Sequence, residues 1–198
     1  MVRYLDPETD FGIPARKKTA SSLASSLASR RQKNGQLPRE QALEAAREQA
    51  LRVLDRNACS SAQIQKKLSV AGFQPHICEE IVNHLLEVGL LNDREYAAML
   101  VRTRFSERGL VGRALVQELN RKGIPPALQP EALAQIDATQ QEERVKELAE
   151  KKARTLGNVT YPQAMRRLAS FLARKGYSPA QCREATHQVL SAMEFDED

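Results

Sequence analysis

His76, Cys78 and His84 are the residue types best suited to metal or nucleophilic chemistry, and their spacing argues against both. On a helix opening near Pro75 they stand at i, i+2 and i+8, so the first two point apart and the third sits over two turns away. A closed zinc site needs four converging ligands. The other cysteines, Cys59 and Cys182, are distant and form no Cys-x-x-Cys pair. No metal, disulfide framework or cofactor is therefore expected. Gly72, Gly123 and Gly176 each follow a helical pattern, so they are helix stops and not a phosphate-cradling loop. The chemistry left is that of cations: 30 Lys and Arg against 25 Asp and Glu leave a net charge of +5. That balance suits an acidic partner and does not by itself prove nucleic-acid binding. An enzyme is not expected.

The cations fall into patterns. Arg113, Gln117, Asn120 and Arg121 form a polar stripe opposite Leu115 and Leu119, and Arg167, Ser170 and Arg174 do the same opposite Met165, Leu168 and Leu172. Arg104 and Arg108 stand at i, i+4, where like charges repel unless an acid elsewhere answers them. Glu142/Lys146, Glu147/Lys151 and Glu150/Arg154 are Glu-first pairs, adequately explained as a solvated helix face. Aromatic residues number nine with no Trp, and Phe73, Tyr96, Phe171 and Tyr177 occupy positions expected to pack inside. Base stacking is thus disfavoured, and any nucleic-acid contact should be to phosphate.

The elements that position these side chains repeat. Ile64-x3-Leu68-x3-Gly72-Phe73-x-Pro75, Leu115-x3-Leu119-x3-Gly123-Ile124-x-Pro126 and Leu168-x3-Leu172-x3-Gly176-Tyr177-x-Pro179 align without gaps, and Leu85, Ile136 and Val189 follow thirteen residues after each Gly. Apolar residues at i, i+4 line a helix face, a left-handed Gly ends it, and Pro suits the first turn of the next helix. Further helices are expected upstream at about 41–56, 93–107 and 140–155, with start signals at Ser60-x-x-Gln63, Asn92-x-x-Glu95 and Ser178-x-x-Gln181. No stretch alternates as a strand would. The expected fold is all-α: a tandem array of three three-helix repeats, elongated and curved, at 39–90, 91–138 and 139–193.

Residues 15–39 carry seven basic residues and no acid, and include the small, polar Ser21–Ser29 stretch; residues 1–38 are read as a flexible basic tail. Residues 194–198, with four acids, read as a solvated acidic end. No apolar run approaches bilayer length and no apolar leader opens the chain, so a soluble, cytoplasmic monomer is expected.

Leu85-Leu86-x-x-Gly89-Leu90-Leu91-Asn92-Asp93-x-x-Tyr96-Ala97, followed by Arg102-x-Arg104, Gly109 and Glu118-Leu119-x-x-Lys122-Gly123-Ile124, resembles the RecX family of bacterial recombination regulators. Lys151-Lys152 and Leu168-x-x-Phe171-Leu172-x-x-Lys175-Gly176-Tyr177 extend the resemblance, which covers about residues 46–190. Cys59-Ser60, Gln63-Ile64 and Gly112 depart from the family pattern. The resemblance implies a helical protein, without enzymatic activity or cofactor, that binds the RecA recombinase and its filament on DNA and mostly restrains it. The candidate contacts to the filament or to DNA phosphate are Arg102, Arg104, Arg108, Arg113, Arg121, Lys122, Lys151, Lys152, Arg167, Arg174 and Lys175. The rival reading is a helix-turn-helix protein acting directly on DNA, weakened because no helix opens with Asn, Gln and Arg.

Overall fold

The computed structural model describes residues 20–157 and 159–192, and every regular element among them is helical. After α1 (Ala20–Gly35) come three units. The first holds α2 (Arg39–Leu54), α3 (Ser61–Val70) and α4 (Pro75–Glu87), the second α5 (Asp93–Arg108), α6 (Gly112–Arg121) and the short α7 (Gln129–Leu133). The third holds α8 (Ala138–Ala153), α9 (Tyr161–Lys175) and α10 (Pro179–Leu190). Extensive helix packing stays within a unit, and the buried side chains form three clusters, one centred on each unit. The chain is an all-α repeat array, as expected. No helix among the described residues is long and apolar enough to cross a membrane.

The repeated motif explains each core. Leu68, Leu119 and Leu172 are at most 1 % exposed, while Gly72, Gly123 and Gly176 all adopt positive φ. In the first two units the N–H after the Gly reaches the carbonyl of that same Leu: Phe73 N to Leu68 O at 3.3 Å and Ile124 N to Leu119 O at 3.0 Å. The Leu therefore fills the core and takes the closing hydrogen bond of a Schellman turn. Ser60 with Gln63 and Ser178 with Gln181 form capping boxes, Asn92 caps α5, and Asp137 with Gln140 adds a box not anticipated above.

Two expectations need correction. Pro126 opens a 3-10 turn (Pro126–Leu128) before α7 instead of one full helix. The reason is Pro130, whose missing N–H is the donor that the Pro126 carbonyl would need. The composition of residues 1–38 predicts one flexible tail, yet Ala20–Gly35 is helix α1. Its last turn is tied to the first unit: Asn34 Nδ2 donates to Ala71 O at 2.8 Å, Arg31 Nε to Val70 O at 2.5 Å, and Gln74 Nε2 to Gly35 O at 3.3 Å. These bonds span some forty residues of sequence, so local composition could not reveal them. Residues 1–19 and the acidic end at 194–198 lie outside the described residues.

Adjacent units meet at narrow junctions. Ser60 Oγ donates to Lys122 O at 2.5 Å, and the Asp93 carboxylate accepts from the Ser61 backbone N–H and hydroxyl at 2.8 and 2.5 Å. Next along the array, Val111 N donates to Lys175 O at 2.9 Å. All three cysteines are buried, and burial pushes the Cys78 and Cys182 thiols above their ordinary range. Because the thiolate is the reactive form, a disulfide reagent should label the native chain far more slowly than the denatured one. Equal rates would mean that the cores breathe freely.

Candidate functional site

Two helix C-termini converge where the second unit meets the third. α5 ends at Gly109, whose φ of 61° closes the last turn onto the Arg104 and Phe105 carbonyls. That positive φ favours glycine, and the residue packs closely on α8, where a Cβ would lie 2.4 Å from Leu148 Cδ1 and push that side chain aside. α9 ends at Gly176 beside it, and both helices finish in cations, Arg108 and Lys175. Cations near helix C-termini are favoured by the macrodipole. Lys175 also reaches a carbonyl, its Nζ donating to Arg108 O at 2.8 Å, and Arg144 Nη2 of α8 donates to Ser106 O at 2.5 Å.

These contacts open into a cleft of about 420 Å³ lined by Arg108, Arg144, Lys151, Lys152 and Lys175, with Glu107 and Glu147 as its acids. Arg144 Nη1 holds Glu147 at 2.6 Å. Glu147 thereby leaves Lys151, the partner the sequence spacing gave it. The Arg144 Nε is buried without a hydrogen-bond partner. Lys175, lying 5.4 Å from the Phe171 ring centre, has its pKa lowered by desolvation first and then by Arg108 and Arg144. Helix capping accounts for Arg144 and Lys175. Arg108, Lys151 and Lys152 stand in the last turns of α5 and α8, as the macrodipole favours, but their side chains make no hydrogen bond or ion pair among the described residues, and they leave the cleft with surplus positive charge that an anionic group would relieve.

The remaining candidates are dispersed. Arg113, Arg121, Arg167 and Arg174 are exposed, opposite the buried Leu115, Leu119, Leu168 and Leu172, so both stripes exist as surfaces. Arg113, Arg167 and Arg174 make no ion pair among the described residues, whereas Arg121 is bound to Glu118 at 2.6 Å. Arg104 is largely covered and pairs with the same Glu118 at 3.3 Å, and with Glu107 at 3.4 Å. The acid needed to answer Arg104 is therefore supplied by the neighbouring helix, and Arg104 is an internal tie. Arg102 is exposed and bonds Gln135 at 2.9 Å. Lys122 is half-buried and offers its carbonyl to the first junction. Sequence reasoning missed Arg144; its only sequence signal was Glu147 three residues on. Phe171, expected inside, is half-buried under Lys175. Among the described residues no group of three His, Cys, Asp or Glu could hold a metal.

Burial would raise the Glu118 pKa, but hydrogen bonds and charge from Arg121 and Arg104 outweigh it and hold the carboxyl below its usual value. A depressed carboxylate pKa adds stability above the unfolded value, about 4.3 for Glu, and loses it as pH falls through the folded value. Glu118→Gln should therefore melt below the parent at neutral pH, with the gap narrowing on acidification. Parallel melting curves against pH would show that Glu118 is not the linked group.

The units flanking the cleft match known proteins. Residues 92–133 match the family model described as the second three-helix domain of RecX, and residues 140–186 the third. The regulatory protein RecX of Streptomyces coelicolor is 36% identical over 162 residues, covering 82% of this chain and 86% of that relative. The protein of the same name from Amycolatopsis mediterranei is 35% identical over 142 residues, 72% of this chain and 81% of its own. The crystal structure of RecX from Lactobacillus salivarius shares the fold with a TM-score of 0.67 at 23% identity, covering 75% of this chain and 97% of that one.

Proposed function

Because the chain belongs to the RecX family of regulatory proteins, we propose that it binds the RecA recombinase filament and restrains recombination during DNA repair in the cytoplasm. It does so as a monomer and without chemistry of its own. The reading rests on one observation above others: Arg108, Lys151 and Lys152 line a cleft with Arg144 and Lys175, and the side chains of the first three are unpaired among the described residues. Acidic side chains on the filament, or the phosphates of its DNA, supply the missing charge. The exposed cations Arg113, Arg167 and Arg174 extend the contact beyond the cleft. Arg102, Arg104, Arg121 and Lys122 contribute less, because each already has an internal partner or structural place.

Co-sedimentation tests this reading. The chain should pellet with RecA filaments assembled on single-stranded DNA well above its binding to the same DNA alone. Equal binding to both would favour direct action on DNA through a helix-turn-helix unit. No binding to filament would overturn the proposal.

A further inference from the structure

The carbonyl just before each repeat glycine is a docking point. Lys122 O accepts from Ser60 Oγ at 2.5 Å, and Lys175 O accepts from the Val111 backbone N–H at 2.9 Å. The glycine beside it is a close-approach surface: a Cβ on Gly123 would stand 2.4 Å from Ala62 Cβ, and one on Gly176 2.0 Å from Val111 O. In both junctions the start of one unit's second helix, α3 or α6, is seated on the end of the next unit's second helix. This contact is head-to-tail, and such a contact continues into an open polymer unless its free ends are closed.

The first unit has the same edge at Ala71 and Gly72, and α1 occupies it. Asn34 Nδ2 donates to Ala71 O at 2.8 Å, and a Cβ on Gly72 would fall 2.5 Å from Arg31 O. All three edges are therefore filled in one way, two by a preceding unit and one by a helix that belongs to none. At the other end Thr160 heads α9, the counterpart of the Ser60 and Val111 positions, with no side-chain cap. Among the described residues no further unit is seated on that start.

We propose that α1 is an end cap that closes the first unit's docking edge against the α9 start of a second copy of this chain. The cap keeps the array from growing by addition of further copies, as terminal repeats do in other solenoids. This inference stands apart from filament binding, since the docking edge of the first unit is distant in sequence from the basic cleft and its test contains no RecA.

The test uses the full chain. Arg31→Glu with Asn34→Asp removes both donors and sets carboxylates against the Val70 and Ala71 carbonyls, at a helix C-terminus where negative charge is disfavoured. Hydrogen exchange should show residues 29–36 losing protection while α2 to α4 keep theirs. Sedimentation velocity over about a hundredfold concentration range should then show the double variant passing beyond a dimer by mass action, while the parent stays at one size. Adding Gly72→Asn, a residue that tolerates positive φ, puts a side chain on the exposed edge and should restore the single size. The proposal is overturned by a released α1 without association, by an α1 that stays protected, or by association that survives Gly72→Asn.

Discussion

Leu119→Ala should destabilise the protein by about 2–5 kcal/mol, as truncation of a fully buried Leu does when its cavity cannot collapse. Leu119 is 0% exposed, and its carbonyl also takes the Ile124 N–H that closes the turn at Gly123. Its position makes the loss travel. α6 carries both junctions, with Val111 at its start bound to Lys175 O and Lys122 at its end bound to Ser60. Hydrogen exchange in Leu119→Ala should therefore rise in all three units, whereas Leu68→Ala should raise it chiefly in the first. Leu90→Ala is the control: at 56% exposed, its removal should shift stability by no more than about 0.5 kcal/mol. If Leu119→Ala melts like Leu90→Ala, the second unit has no core of the kind described.

What was legible in the sequence was local. The Gly-x-x-Pro spacing fixes a helix stop and a helix start within four residues, and Ser60, Asn92 and Ser178 bond partners two or three residues away. Such contacts leave a trace in spacing because both partners lie in one window. α1 left no such trace. Its Ala- and Ser-rich sequence offers little to bury, and its ties are to carbonyls at Val70 and Ala71. The 3-10 turn is legible in Pro130, four residues after Pro126, a position that the repeated Gly-x-x-Pro motif does not include.

The candidate site divides the same way. The stripes on α6 and α9 follow from helical period, and their residues are exposed as the period requires. Which cations remain available does not follow from period. Arg104 and Arg121 share Glu118, one bond crossing from α5 to α6, and Arg144 takes Glu147 from Lys151. Pairing across helices is decided by how α5, α6, α8 and α9 meet. The sequence put Arg108, Lys151, Lys152 and Lys175 on three helices, and only packing brings them to one cleft.

The choice of variants for the mechanism follows from that pairing. Arg144 and Lys175 are poor targets because they hold the end of α5, and reversing Arg121 would set a carboxylate beside Glu118. Arg108→Gln, Lys151→Gln and Lys152→Gln avoid both problems, since they set no carboxylate beside Glu107 or Glu147, and Arg108 and Lys151 are exposed while Lys152 is half-buried. Together they should weaken restraint of RecA by at least about tenfold, roughly 1.4 kcal/mol, since three attractive charges leave the cleft. Each exposed substitution should alter stability by no more than about 0.5 kcal/mol, so an unchanged melt separates a lost contact from a lost fold. Arg113→Glu with Arg167→Glu and Arg174→Glu probes the stripes in the same assay, and a smaller loss there would rank the cleft first. Salt then identifies what the cleft meets. Release of counterions from DNA phosphates gives a steep fall of affinity with salt, whereas a mixed protein interface falls less steeply. The shallower dependence is expected, because the net charge is only +5 and Tyr96 and Tyr177 are buried in the cores. Full restraint by the cleft variant, with the stripe variant inactive, would move the interface onto the outer faces of α6 and α9.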